Sequence, residues 1–249
     1  MNAYDLILDG RYHPRELIEQ IVIEDSLDEI AMRANVRLTV TPDLPAVEPG
    51  QRVEILGVPY GGADMATILA PGVVWGAETE SGISARLSLC IYDLTIYVAK
   101  SEDEYLFPAG QTAAQRLKRY AADWSIPLGQ VADTKIPLAK AVYRAQSIYA
   151  MIRADLAETA TKGGDLYRPR MSPNGLELVK LGSNATVWRL AAGESIETMT
   201  SKASLEGTIT QVKVLGNAGV ESRSPVLALV KGETGKYGTL QQVIRDSKI

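Results

Sequence analysis

The sequence predicts an α+β fold, mainly β, in which two small β-barrel-like domains are joined by a helical segment and followed by a C-terminal helix. Three observations predict it. The first hundred residues alternate apolar and polar side chains with period two, and turn-forming pairs interrupt them. The stretch 101–164 changes to helical spacing, and from 165 onward short apolar-rich runs return. The expected boundaries are therefore 1–100 for the first β-barrel-like domain, 101–164 for the helical linking segment, and 165–249 for the second β domain with its terminal helix.

Taken in order, Arg33 to Val40 places Ala34, Val36, Leu38 and Val40 on one side and Arg33, Asn35, Arg37 and Thr39 on the other. Ile83 to Ile91 repeats the pattern, with Ala85, Leu87 and Leu89 facing one way and Ser84, Arg86 and Ser88 the other. Period two is the mark of a half-buried antiparallel strand. Shorter strands are expected at Ile18–Ile23, Arg52–Leu56, Thr67–Leu69 and Val73–Ala77, with turns at Pro42-Asp43, Pro49-Gly50, Gly61-Gly62, Pro71-Gly72 and Ser81-Gly82. Short strands with regular turn signals suggest a small barrel or sandwich.

Thr112 is the expected N-cap of a helix carrying Ala113, Leu117, Tyr120, Ala121 and Trp124 on one face. A second helix is expected from near Ser147, with Ile148, Met151, Ile152 and Leu156 on one face, ending at Gly163-Gly164. Pro127 and Pro137 exclude a continuous helix, so Ile136–Tyr143 reads as a strand or extended linker. Strands follow at Asp165–Met171, Leu176–Leu181, Val187–Leu190, Ser195–Ser201, Leu205–Leu215 and Val226–Val230, with Asn174-Gly175 as a hairpin signal. A helix from Thr239 through Leu240, Val243 and Ile244 closes the chain.

Composition narrows the function classes. Apolar residues make up 46% and charged residues 22% of the 249, values of an ordinary globular protein. With one Phe and three Trp, the core must be built from Val, Ile, Leu and Ala, and Trp75, Trp124 and Trp188 are expected to pack into it. The net charge of −4 does not favour a polyanion. The longest basic run, Arg116-Leu117-Lys118-Arg119, reads as the solvated face of a helix. The lone Cys90 can form no intrachain disulfide and is expected to be structural. Met1 to Gly10 carry two Asp and no Lys or Arg, unlike a secretory signal. No apolar run approaches the ~20 residues of a membrane helix, and the chain is expected to fold in the cytoplasm.

Catalytic chemistry is sparse. The only histidine, His13, precedes Pro14 in a polar segment and is expected to sit in a surface loop, which leaves a Ser-His-Asp or Cys-His site without its base. One His and one Cys cannot supply the ordinary zinc ligand sets. Gly232-Glu233-Thr234-Gly235-Lys236 has only two residues between its glycines and Tyr237 after the lysine, so it is a surface turn and no phosphate loop. The carboxylate runs Glu24, Asp25, Asp28, Glu29 and Glu102, Asp103, Glu104 are expected to be solvated, and the sequon at Asn184 has no meaning without secretion. No residue is assigned a catalytic, cofactor-binding or metal-binding role, and the chain is expected not to be an enzyme.

An ordered set of segments resembles one family: Gly72–Trp75 (GVVW), Leu89–Asp93 (LCIYD), Tyr105–Gly110 (YLFPAG), Ala122–Pro127 (ADWSIP) with Leu128-Gly129, Val142–Arg144 (VYR), and Pro225–Ala228 (PVLA) followed by Gly238–Leu240 (GTL). In this order and spacing they look like the XkdQ/YqbQ group of phage and prophage tail proteins, from about Leu17 to the C-terminus. The resemblance implies the central hub of a contractile-tail baseplate. Such a hub is a homotrimer ring in which two barrel-like domains per chain match the sixfold tail tube, while the other end carries the threefold spike. The implied partners are the chain itself, the tail tube or tube-initiator protein, the central spike protein and the tape measure protein, with no nucleic-acid binding and no membrane insertion. The implied location is the virion baseplate, assembled in the bacterial host. Family members usually continue past the Gly-Thr-Leu segment into strands that help complete the second barrel, whereas this chain stops at Ile249. Two alternatives are a tail-associated peptidoglycan hydrolase, which would need a catalytic constellation, and a β-barrel binding module, which would need a basic or aromatic-lined groove.

Overall fold

The alternation in the first hundred residues becomes one curled sheet. The computed structural model describes residues 4–58, 62–82, 84–184, 198–217 and 223–245, with the separate positions 187, 189, 191 and 193. The chain divides into two units, Met1–Thr186 and Val187–Ile249. In the first, strands β1 (Tyr4–Leu8), β2 (Ile18–Glu24), β3 (Arg33–Thr39), β4 (Arg52–Gly57), β5 (Ala66–Glu80) and β6 (Arg86–Asp93) form a sheet of order β1-β4-β5-β6-β3-β2. Every neighbouring pair is antiparallel. Ala34, Val36 and Leu38 of β3 stand opposite Ile91, Leu89 and Leu87 of β6, and all six are buried. Arg86 and Ser88 face solvent, as the period requires. Leu6 and Leu8 from one edge and Ile18, Ile21 and Ile23 from the other join the same apolar cluster, so the sheet curls around one core. Ile83 and Gly61 lie outside the described residues.

Pro71-Gly72 is not a turn. β5 runs straight through it, and the two short strands expected at 67–69 and 73–77 are one strand of 15 residues. The glycine serves close approach, because a Cβ there would lie 2.4 Å from a Leu69 methyl and 2.7 Å from the Val53 carbonyl oxygen. Trp75 is also placed differently from expectation. It is 42% exposed, and its ring meets Tyr92 and Tyr97 edge-on at 6.0 and 6.1 Å.

The rest of the first unit is helical and mixed: α1 (Thr95–Lys100), β7 (Glu102–Phe107), α2 (Ala113–Asp123), β8 (Leu128–Val131), β9 (Ala141–Ser147), α3 (Ile148–Thr161), β10 (Tyr167–Ser172) and β11 (Gly175–Lys180). Thr112 caps α2 in a full capping box, its Oγ1 accepting from the Gln115 N–H at 3.3 Å and its own N–H donating to Gln115 Oε1 at 2.9 Å. Ser147 caps α3 by accepting from the Ala150 N–H at 3.2 Å. Beyond α3, Gly163 takes a positive φ of 84°. Leu117, Tyr120 and Ala121 of α2 pack with Ile148, Met151 and Ile152 of α3, Phe107 of β7 and Leu176 and Leu178 of β11 in a second core. Trp124 is half-buried against it.

The β10–β11 hairpin forms, but its two-residue loop is Pro173-Asn174, because Ser172 pairs with Gly175. Gly175 is instead the first residue of β11, with φ at 116°. Its Cα faces Pro127, and a Cβ there would come within 2.5 Å of that carbonyl oxygen. The same carbonyl accepts from the Leu176 N–H at 2.7 Å, which starts the parallel β8–β11 pairing. Gly175→Ala is expected to destabilise the first unit by about 1–3 kcal/mol through strain at this contact. A denaturant titration of the variant beside the parent checks it.

The second unit holds β12 (Gln211–Leu215), β13 (Val226–Lys231), the single helical turn α4 (Thr234–Tyr237) and β14 (Gln241–Arg245). β12 lies between β13 and β14, antiparallel to the first and parallel to the second. The helix expected from Thr239 is therefore a strand, and the helical turn comes earlier, in the Gly232–Lys236 turn. Val243-Ile244 are adjacent and β-branched, which suits a pleated strand, and β12 supplies the ladder. The strand expected over Leu205–Leu215 begins only at Gln211, after a turn at Gly207 with φ at 76°. Of the strand expected at Ser195–Ser201, residues 198–201 are irregular and exposed with no ladder partner, and 195–197 lie outside the described residues, as do Trp188 and Leu190.

Candidate functional site

The residues weighed for chemistry are scattered over the first unit. His13 is half-exposed beside β1, with Nδ1 3.0 Å from Asp5 Oδ2, and Arg15 approaches the same oxygen at 3.4 Å. Cys90 is half-buried on the outward face of β6. The carboxylate runs are in contact with arginines on the surface: Asp25 with Arg168, Glu24 with Arg33 at 3.7 Å and Glu104 with Arg144 at 3.4 Å. Among the described residues no group of three or more His, Cys, Asp or Glu side chains is placed to hold a metal ion. Among the described residues no helix is long and apolar enough to cross a membrane.

The strongest electrostatic feature lies inside the second core. Arg116, expected on a solvated face, is fully buried. The α2 register explains this, since Arg116 shares its face with Ala113 and Tyr120, three residues back and four ahead. Its Nη1 donates to Asp155 Oδ1 of α3 at 2.6 Å, and its Nη2 donates to the Ala139 carbonyl at 2.5 Å. The guanidinium lies 5.0 Å from the centroid of the Phe107 ring. Asp155 also accepts from the Tyr143 hydroxyl at 2.7 Å and the Tyr120 hydroxyl at 3.3 Å. Burial pushes the Asp155 carboxyl above its ordinary value of 3.8, against the opposing pull of Tyr143, Arg116 and Tyr120. Burial and the nearby carboxylate raise both tyrosines as well. The network clamps α2, α3 and the Ala139 segment together. The sequence held a signal for it: Asp155 follows Met151 and Ile152 and precedes Thr159 on the buried side of α3, so two helices each carry one opposite charge on an apolar face.

A second buried carboxylate, Asp93, ends β6. It accepts from the Met32 N–H and the Thr95 N–H, both at 2.8 Å, and from the Thr95 hydroxyl. Burial is the main influence and raises its pKa. Asp93 fixes the corner where the curled sheet gives way to α1.

Comparison with known proteins places these features in a family context. The family model described as YQBQ-like matches residues 68–248. The chain is 28% identical over 173 residues to the uncharacterized protein YqbQ of Bacillus subtilis strain 168, covering 69% of this chain and 52% of that protein. It is 28% identical over 158 residues to the phage-like element PBSX protein XkdQ of the same strain, covering 62% and 47%. The chain thus spans about half the length of the curated relatives it matches. Among solved structures, the 43 kDa tail protein of prophage MuSo2 from Shewanella oneidensis has a similar fold, with a TM-score of 0.75 at 12% identity over 99% of this chain and 73% of that one.

Proposed function

This chain belongs to the YQBQ-like family, and on that footing we propose that it is a structural baseplate hub of a phage-type contractile tail. Three copies close into a ring on the tail axis, with the tube or tube-initiator protein on one side and the central spike on the other. The tape measure protein lies along the same axis. Closed rotational symmetry is the ordinary route for a soluble homo-oligomer. The proposed location is the virion baseplate, with assembly in the bacterial cytoplasm.

The observation that carries this reading is the fold likeness to a prophage tail protein over 99% of the chain. The second unit supports it. In the described residues of that unit, the β12–β13–β14 sheet has no second layer. Val230, Val243 and Ile244 are about half-exposed or more, and Val212, Val214, Ala228, Val230 and Ile244 fall on one face by register. A sheet this small needs an apolar face covered to be stable, and a neighbour in an assembly supplies that cover. The chemistry proposed is burial of strand surface, with no turnover of a substrate.

Hydrogen exchange tests this reading. Amides in Val226–Arg245 are expected to exchange fast in the free chain and slowly in the assembled tail. Equal exchange in the two states would contradict a sheet covered by assembly.

A further inference from the structure

Among the described residues β7 and β9 form a sheet of two strands, so among them β7 keeps one edge without a partner strand. Beside it lies a trough of about 730 Å³. Six consecutive residues, Asp103 to Pro108, line that trough, and no β9 residue does. A trough over a sheet face would be lined by alternate residues and by both strands, because successive side chains point to opposite faces. Consecutive lining marks the open edge. The far wall is α2, which contributes Arg119 and Asp123, with Trp124 at its end. Apart from the ladder with β9, residues Asp103 to Phe107 make no backbone–backbone hydrogen bond among the described residues.

The lining has a chemical bias. Asp103, Glu104 and Asp123 line the trough with Arg119, which is committed to Asp123 at 2.7 Å, while Glu104 also meets Arg144 of β9 at 3.4 Å and Asp103 has no cation of its own in the lining. Gln111, at the Pro108 end, carries a side-chain oxygen that is shielded from solvent and accepts no hydrogen bond. A buried acceptor without a donor is unfavourable, and an incoming N–H would relieve it. Leu106 is 66% exposed and offers an apolar contact on the strand itself. Tyr105 turns its ring inward, stacked on Phe107 with centroids 5.4 Å apart. Its hydroxyl donates to Asp123 at 3.2 Å, and burial with that carboxylate pushes its pKa up to about 12, which keeps it a neutral donor.

We propose that the β7 edge is a docking site for an extended segment of a partner protein that bears lysine or arginine side chains. The segment adds as a third strand to the β7–β9 sheet. Its backbone pairs with β7, its cations meet Asp103 and Glu104, and one of its donors reaches the Gln111 oxygen. Main-chain pairing gives affinity in this mode of recognition, and side-chain pockets give selectivity. The site does not depend on the hub assignment, since any partner with such a segment would fit it.

The test uses the whole chain and a fluorescein-labelled ten-residue peptide of alternating lysine and threonine as the probe. Three controls accompany it: the same peptide with glutamate for lysine, the lysine peptide N-methylated at every second residue in both registers, and the variant Asp103→Lys/Glu104→Lys with its fold checked by circular dichroism. The lysine peptide is expected to bind at low salt and to slow amide exchange in Asp103–Phe107. Its Kd is expected to rise at least tenfold in the charge-reversed variant, and at least tenfold for one of the two N-methylated registers. The glutamate peptide is expected not to bind. Absence of binding by the lysine peptide, equal affinity for both N-methylated peptides and the parent, or unchanged affinity in the reversed variant would each overturn the proposal.

Discussion

Asp155→Ala should destabilise the first unit by ~3–5 kcal/mol, the expected effect of leaving a buried charge without its partner. Arg116 would keep its place in the second core with only the Ala139 carbonyl and the more distant Pro108 carbonyl as acceptors, and the hydroxyls of Tyr120 and Tyr143 would lose theirs. The double variant Arg116→Met/Asp155→Leu should recover most of that loss, because apolar side chains of similar volume remove the cost of desolvating both charges. Full loss in the double variant, measured by urea titration, would mean that the network contributes more than a satisfied pair. The pH dependence has a definite sign. The Asp155 pKa is raised above 3.8 by burial, so the folded chain binds that proton more tightly than the unfolded chain does. Its contribution to stability is therefore complete below about pH 3.8 and declines as pH rises through the raised value. Asp155→Asn should flatten that part of the stability–pH curve.

Leu89→Ala should cost ~2–5 kcal/mol, the range for a large-to-small change in a tight core. Leu89 is 2% exposed and stands opposite Val36 in the middle of the curled sheet, where neighbours from several strands cannot collapse into the space. Arg86, at the start of the same strand, reaches Glu19 at 3.0 Å on the surface. Arg86→Ala should cost far less, since exposed ion pairs are screened and entropically taxed. Comparable losses for the two variants in a denaturant titration would mean that the facing of β6 is wrong.

What could be read from the sequence follows from how local its cause is. The facing of β3 and β6 was legible because a half-buried strand writes its environment into every second residue. The caps at Thr112 and Ser147 were legible because capping is settled within four residues. Pro71-Gly72 was misread because its reason is not local: the glycine is demanded by Val53 on the neighbouring strand. The last strand was misread for the same reason, since Gln241–Arg245 becomes β14 only by pairing with β12 far back in the chain. Along the chain Arg116 belongs to a basic run with the look of a solvated face. On the helix it belongs to the face of Ala113 and Tyr120. The role of Asp155 is not local either, since its partners lie on α2 and β9. The β7 edge overlaps the Tyr105–Gly110 segment, but nothing in that segment marks the strand as unpaired, since an unpaired edge exists only once the sheet has formed.

The most direct measurement is a cryo-EM map of the assembled tail at a resolution that traces the chain. A homotrimeric hub should show three copies around the axis, between the last tube ring and the spike, with the β12–β13–β14 sheet covered by a neighbouring chain. Six copies, or a position away from the axis, would contradict it.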